Sequence, residues 1–158
     1  MELDRFHQIG GLLIKKYEEE KWPEVEQLAL DYLESANKNI SDWNYGNAIH
    51  LANLVLGKIR LINDDLEQAK DYLLKAARTD GSPQLKSFGP NMSLARDLLE
   101  VGEKEVVLKY LDLVKKFWYP LFSFFKIRKW KKEIKNGLVP DFAANNIYHL
   151  RSTPTKRD

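Results

Sequence analysis

The chain has 158 residues, 44% hydrophobic and 30% charged, with a net charge of +2. That suffices for one domain with its own core and is too apolar for disorder. It has no cysteine, which excludes disulfides, thiolate zinc sites and cysteine nucleophiles and fits a reducing cytoplasm. No apolar run approaches the roughly 18 residues of a membrane span, and the start carries Glu2 and Asp4 rather than a basic leader, so a soluble cytoplasmic chain with no membrane partner is expected.

The charge is unevenly spread. Residues 1–36 hold four basic and nine acidic side chains (−5), residues 119–158 hold nine basic and three acidic (+6), and the middle carries +1. Ends of opposite sign can steer a partner, or a second copy of the chain.

Phe6, Ile9, Leu13 and Tyr17 recur at three- and four-residue spacing and predict a helix over about 3–20. Pro23 suits a first helical position, and Val25, Leu28, Ala29, Tyr32, Leu33 and Ala36 continue the period, giving a first hairpin over 3–36. After a polar turn at 37–42, a third helix over 43–62 is apolar on a wide arc (Ala48, Leu51, Ala52, Val55, Leu56, Ile59, Ile62), as expected of a helix flanked by others. Asn63 and Asp64 suit a break, and Asp64 with Glu67 reads as a capping box. Leu66, Ala69, Leu73 and Ala76 then mark a helix ending near Thr79, which closes a second hairpin over 43–79. The 80–90 stretch reads as a packed loop with Leu85 and Phe88 turned inward. A third hairpin spans 90–118: one helix from Pro90 to Val101, a stop at Gly102, and a second with Val107, Leu111 and Val114 inward. A helix over 121–136 stops at Gly137, a short helix lies within 140–150, and 151–158 is a flexible tail. One domain over 1–150 results.

Two of these hairpins share a rhythm. From Gly57, the residues Ala69, Leu73 and Ala76 lie 12, 16 and 19 positions on; from Ala95, so do Val107, Leu111 and Val114. Asp64 and Gly102 both lie seven past their anchor. A small anchor lets the first helix approach the second, and a hairpin that cannot cover its own faces must stack on a neighbour. The pattern, over about 50–116, resembles the tetratricopeptide repeat. The offset is 38 rather than the usual 34; Asn53 and Asn91 stand where the family often has Trp, and Arg60 and Leu98 where it has Tyr. Paired-helix stacks of the HEAT kind satisfy the same spacing. The resemblance implies an all-α, right-handed stack of antiparallel hairpins with a C-terminal capping helix over 121–136, binding a protein or peptide in a concave groove.

By that register Leu51, Leu54, Lys58 and Leu61 would face the groove with Met92, Arg96 and Leu99, and His50 and Asn91 would lie beside them. The candidate partner-binding set is therefore His50, Leu54, Lys58, Asn91, Met92 and Arg96: an apolar floor with two cations, suited to a peptide with an acidic group. Asn53 and Asn91, at equivalent positions, would be neighbours, either as an internal polar brace or as amides holding a ligand's backbone. The last helix could instead fill the groove.

The second candidate surface is basic. Lys126, Arg128, Lys129, Lys131, Lys132 and Lys135 alternate with Phe122, Phe125, Ile127, Trp130 and Ile134, a combination that can grip nucleic acid or anionic lipid. Ile127, Trp130 and Ile134 have the spacing of a face packed on the preceding helix, so the bland reading is a solvated cap, and a nucleic-acid partner is not favoured. His7, His50 and His149 lie on separate segments without metal-ligand spacing, and no GxGxxG, Walker, GxSxG or HExxH pattern occurs; no metal, cofactor or catalysis is expected. The readings that remain are an interaction module, a regulator touching nucleic acid through its basic end, and a self-associating structural protein.

Overall fold

The computed structural model describes residues 2–147 and 150. His149 and the expected tail at 151–158 lie outside them. Among the described residues there are nine helices and no strand: α1 (Glu2–Glu18), α2 (Trp22–Lys38), α3 (Tyr45–Ile62), α4 (Leu66–Ala76), α5 (Pro83–Phe88), α6 (Ser93–Glu100), α7 (Lys104–Val114), α8 (Pro120–Lys135) and α9 (Ala144–Ile147). α1 packs on α2, α3 on α4, and α6 on α7, so each consecutive pair is a hairpin. Further contacts join the pairs: α2 and α1 with α3, α4 with α7 and α6, and α3 with α6. α8 lies on α7, and α9 lies on α6.

The apolar periods become the core. Phe6, Ile9, Leu13 and Tyr17 of α1, Val25, Ala29, Tyr32 and Ala36 of α2, and Ala69, Leu73 and Ala76 of α4 are all buried. Each large apolar side chain so placed is worth about 1.5–3 kcal/mol relative to exposure. α3 is buried almost all round between 52 and 59, as its wide apolar arc requires. Gly57 is the point of closest approach: a Cβ there would stand 2.4 Å from Leu94 of α6 and 3.2 Å from the Tyr72 Cβ of α4. Any side chain there would have to displace the Leu94 methyl and crowd α4.

Several boundaries differ from the sequence expectation, each for a local reason. The 80–90 stretch is not wholly irregular. The Ser82 Oγ accepts the Leu85 N–H, Pro83 occupies the first turn, and together they start α5. Leu85 is buried as expected, whereas Phe88 is 60% exposed. The interior beside it is filled by Trp118, whose ring lies so close to Gly89 that a Cβ there would be 2.4 Å away. α6 starts at Ser93 rather than Pro90, because Asn91 Oδ1 accepts both the N–H and the Oγ–H of Ser93 and holds the preceding residues in a turn. The cap of α4 is Asp65, which accepts the Gln68 N–H, while Asp64 takes the left-handed turn at φ 59°. Gly102, at φ 92°, ends the next helix where expected.

A candidate cleft between the first and third helices

α3 carries most of the polar groups that define the site. His50, buried, points between α4 and the loop before α6. Its Nδ1 lies 2.8 Å from the Ala76 carbonyl, and the Asn91 N–H donates to its Nε2 at 3.0 Å. A carbonyl can only accept and an N–H can only donate, so the ring is the neutral Nδ1–H tautomer. Burial pushes its pKa down to about 4, against a smaller upward pull from Ala76. Asn91 is the hub of the loop: its carbonyl also accepts the Tyr110 hydroxyl at 3.0 Å. The internal brace expected between Asn53 and Asn91 is thus made by His50 instead. Asn53 turns its amide back on its own helix, donating to the Ile49 carbonyl at 2.7 Å.

In front of His50 lies a cleft of about 450 Å³ between α1, the first half of α3 and α5. Ile14, Leu51 and Leu54 line it from two sides, and Gly10 and Gly11 leave a gap in side chains on the α1 wall between His7 and Ile14. A Cβ at Gly11 would meet nothing within 4 Å, whereas one at Gly10 would stand 3.0 Å from the Tyr32 hydroxyl. Asn44, Asn47 and Gln84 form an amide rim. Asn47 fixes it, donating to Asn44 Oδ1 and Gln84 Oε1 and accepting from the Ser82 hydroxyl. At the mouth His7 of α1 reaches Asp42 at 3.1 Å and stands 5.1 Å, ring to ring, from Trp43, which is 51% exposed. Burial raises the Asp42 carboxyl, but the Asn44 N–H and His7 outweigh it and hold it below the usual carboxylate range.

Of the residues expected in a groove, His50, Leu54 and Asn91 line this cleft, and Lys58, Met92 and Arg96 do not. Lys58 is fully buried and donates to Asp97 Oδ2 of α6 at 2.6 Å. Burial drives its ammonium pKa down, opposed by the Asp97 carboxylate. It is therefore an internal ion pair, not a cation offered to a peptide. Met92 is fully buried, and its N–H donates to the Asn145 carbonyl at 2.7 Å. Arg96 is partly exposed on α6 and pairs with Glu100 one turn on. The second half of the expected groove is thus closed. α6 seals it against α3, and the segment carrying α9 lies over α6, with the Asn145 amide donating to the Phe88 and Pro90 carbonyls. The residues that sequence reasoning missed, Gly10, Gly11, Asn44 and Trp43, come from α1 and the turn before α3. The only available signal was the Gly10-Gly11 pair, an interruption inside a helical period.

The basic helix behaves differently. Ile127, Trp130 and Ile134 are buried against α7, as their spacing implied. Lys126, Arg128, Lys129 and Lys132 are exposed, and Lys131 is partly buried and pairs with Asp112 of α7. Among the described residues no three His, Asp or Glu side chains gather closely enough to hold a metal ion. The chain matches no protein-family model, no curated protein and no solved structure.

Proposed function

We infer that this chain is an interaction module that receives an apolar segment of a partner polypeptide in the cleft between α1 and α3. The observation that carries the reading is the α1 wall at Gly11, where an added Cβ would meet nothing within 4 Å, on the cleft that Leu51 and Leu54 also line. Such a wall admits a peptide backbone, the apolar floor takes a side chain, and the amide rim matches peptide N–H and C=O groups. Trp43 at the mouth is the kind of half-exposed aromatic that anchors interfaces. With Lys58 and Arg96 outside the cleft, the occupant is read as apolar rather than acidic.

The finer architecture we propose is a right-handed, TPR-like stack of three hairpins. It is supported by the contacts of α1 with α3, α3 with α6 and α4 with α7, which pair first helix with first helix and second with second. In that arrangement α1 and α3 line the inner face, where the cleft lies.

The test is a peptide-display selection on the intact chain, counter-screened on Gly11→Trp. A Cβ at this position meets nothing within 4 Å, so an indole can be introduced there to obstruct the cleft. Selected peptides are expected to carry an apolar anchor and to bind the variant at least about tenfold more weakly, since one excluded anchor is worth about 1.5–3 kcal/mol. Peptides that bind Gly11→Trp as well as the parent, or a selection that yields none, would remove this reading.

A further inference from the structure

The start of α8 presents large apolar side chains that nothing in the described chain covers. Leu121 is 85% exposed and Phe125 77%, with Phe122 and Phe124 at least half exposed beside them. Monomeric proteins seldom leave such a cluster in water without a use for it. The next three turns carry six cations, Lys126, Arg128, Lys129, Lys131, Lys132 and Lys135, against one acid, Glu133. Asp112 on α7 takes Lys131 and Lys115, and Glu133 lies 3.9 Å from Lys129, which leaves the outer row of α8 net positive. The two chemistries are segregated along the helix, apolar first and cationic after. A cavity of about 650 Å³ runs beside them between α8 and the end of α7, with Phe124 and Ile127 at its base and Lys115, Arg128, Lys131 and Lys132 around it.

We propose that this end of the molecule docks on the surface of an anionic phospholipid bilayer. Leu121, Phe122 and Phe125 enter the acyl boundary, and the cations that follow lie among the headgroup phosphates. Apolar side chains leading, with Lys and Arg behind, reproduce the layering of a membrane interface. At 1.5 Å per residue, Phe122 and Lys132 are about 15 Å apart along the axis, enough to reach from headgroup to acyl depth when the helix tilts. The base is rigid: Trp118 and Trp130 stack at 5.9 Å, and Trp130 meets Phe142 edge-on at 5.1 Å. Nucleic acid accounts for the cations but not for Leu121, which has no ring to stack on a base. Among the described residues no helix is long and apolar enough to cross a membrane, so the contact is peripheral. It departs from the sequence expectation of no membrane partner, which set anionic lipid aside in favour of a solvated cap.

The experiment is vesicle co-sedimentation of the full chain with phosphatidylcholine alone and with phosphatidylcholine containing phosphatidylserine. Binding to the mixed vesicles only is expected. It should weaken as salt rises from about 0.1 to 1 M, where the Debye length falls from about 10 to 3 Å. Phe122→Ser with Phe125→Ser should cost about tenfold per side chain, and Lys129→Glu with Lys132→Glu about fivefold per charge, with cooperative melting and helical content retained because none of the four is buried. Equal binding to both vesicle types, no binding at low salt, or full binding by either double variant would overturn the proposal. So would a single-stranded oligonucleotide displacing the protein from the vesicles, or a dimer in solution that the Phe122→Ser, Phe125→Ser variant makes monomeric.

Discussion

The two halves of α3 meet opposite fates. Near its start, His50, Leu51 and Leu54 line the cleft; one to two turns later, Gly57 and Lys58 are sealed under α6. The difference lies in the facing helix. Opposite the first half, α1 offers Gly10 and Gly11 between His7 and Ile14, so the middle of that wall has nothing to insert. Opposite the second, α6 offers Leu94, which presses on Gly57, and Asp97, which meets Lys58. Whether a helix pair encloses a cleft or a seam is therefore set by side-chain size on the opposing wall.

The comparison can be broken hardest at the seam. Lys58→Met should strand Asp97 in the interior and cost about 3–5 kcal/mol in denaturant unfolding. Adding Asp97→Leu should recover most of that loss or exceed the parent, because a packed apolar pair avoids the desolvation of two charges. A double variant no more stable than Lys58→Met would mean the pair is not the seam's main constraint.

A smaller effect is expected at the junction of the halves. His50 has a folded pKa of about 4 against 6.5 when unfolded. Above pH 6.5 both states are neutral there and stability is independent of this group. Between 6.5 and 4 the unfolded chain binds a proton that the fold refuses, so stability falls as pH falls, by about 3 kcal/mol in all, and levels off below 4. His50→Gln should flatten this part of the pH–stability curve. An unchanged slope would place the titration elsewhere.

The smallest effect separates two adjacent glycines at the cleft. Gly11→Ala should stabilise by about 1 kcal/mol through helix propensity alone, since its Cβ meets nothing. Gly10→Ala should gain less or lose, because its Cβ crowds the Tyr32 hydroxyl that accepts a hydrogen bond from Asn44. Equal melting temperatures for the two would contradict the geometry of that wall.

The helical periods, the hairpin pairing and the turns at Asp64 and Gly102 were legible in the sequence, because burial and left-handed turns leave local marks. The site was half legible. His50, Leu54 and Asn91 came from counting positions along α3 and α6, and they do meet at the cleft. Lys58 was misplaced because a repeat register fixes which way a residue faces but not what faces it, and Asp97 had drawn no attention. α9 was equally invisible as a cover, since the amide of Asn145 gives no sign that its partners are the carbonyls of Phe88 and Pro90. Polar contacts that far apart in the chain have no period to betray them.

Those same contacts bear on how the chain is made. Asn145 fastens carbonyls 55 and 57 residues upstream, so these bonds to the turn before α6 wait until the chain has been made at least through Asn145. Until then the N–H of Met92 lacks the carbonyl that receives it, and the α6 end of the protein stays uncovered while α1 to α4 can already pair. Vectorial synthesis would thus set the α1 and α3 walls of the cleft first, and fix its α5 side together with the α6 end only later.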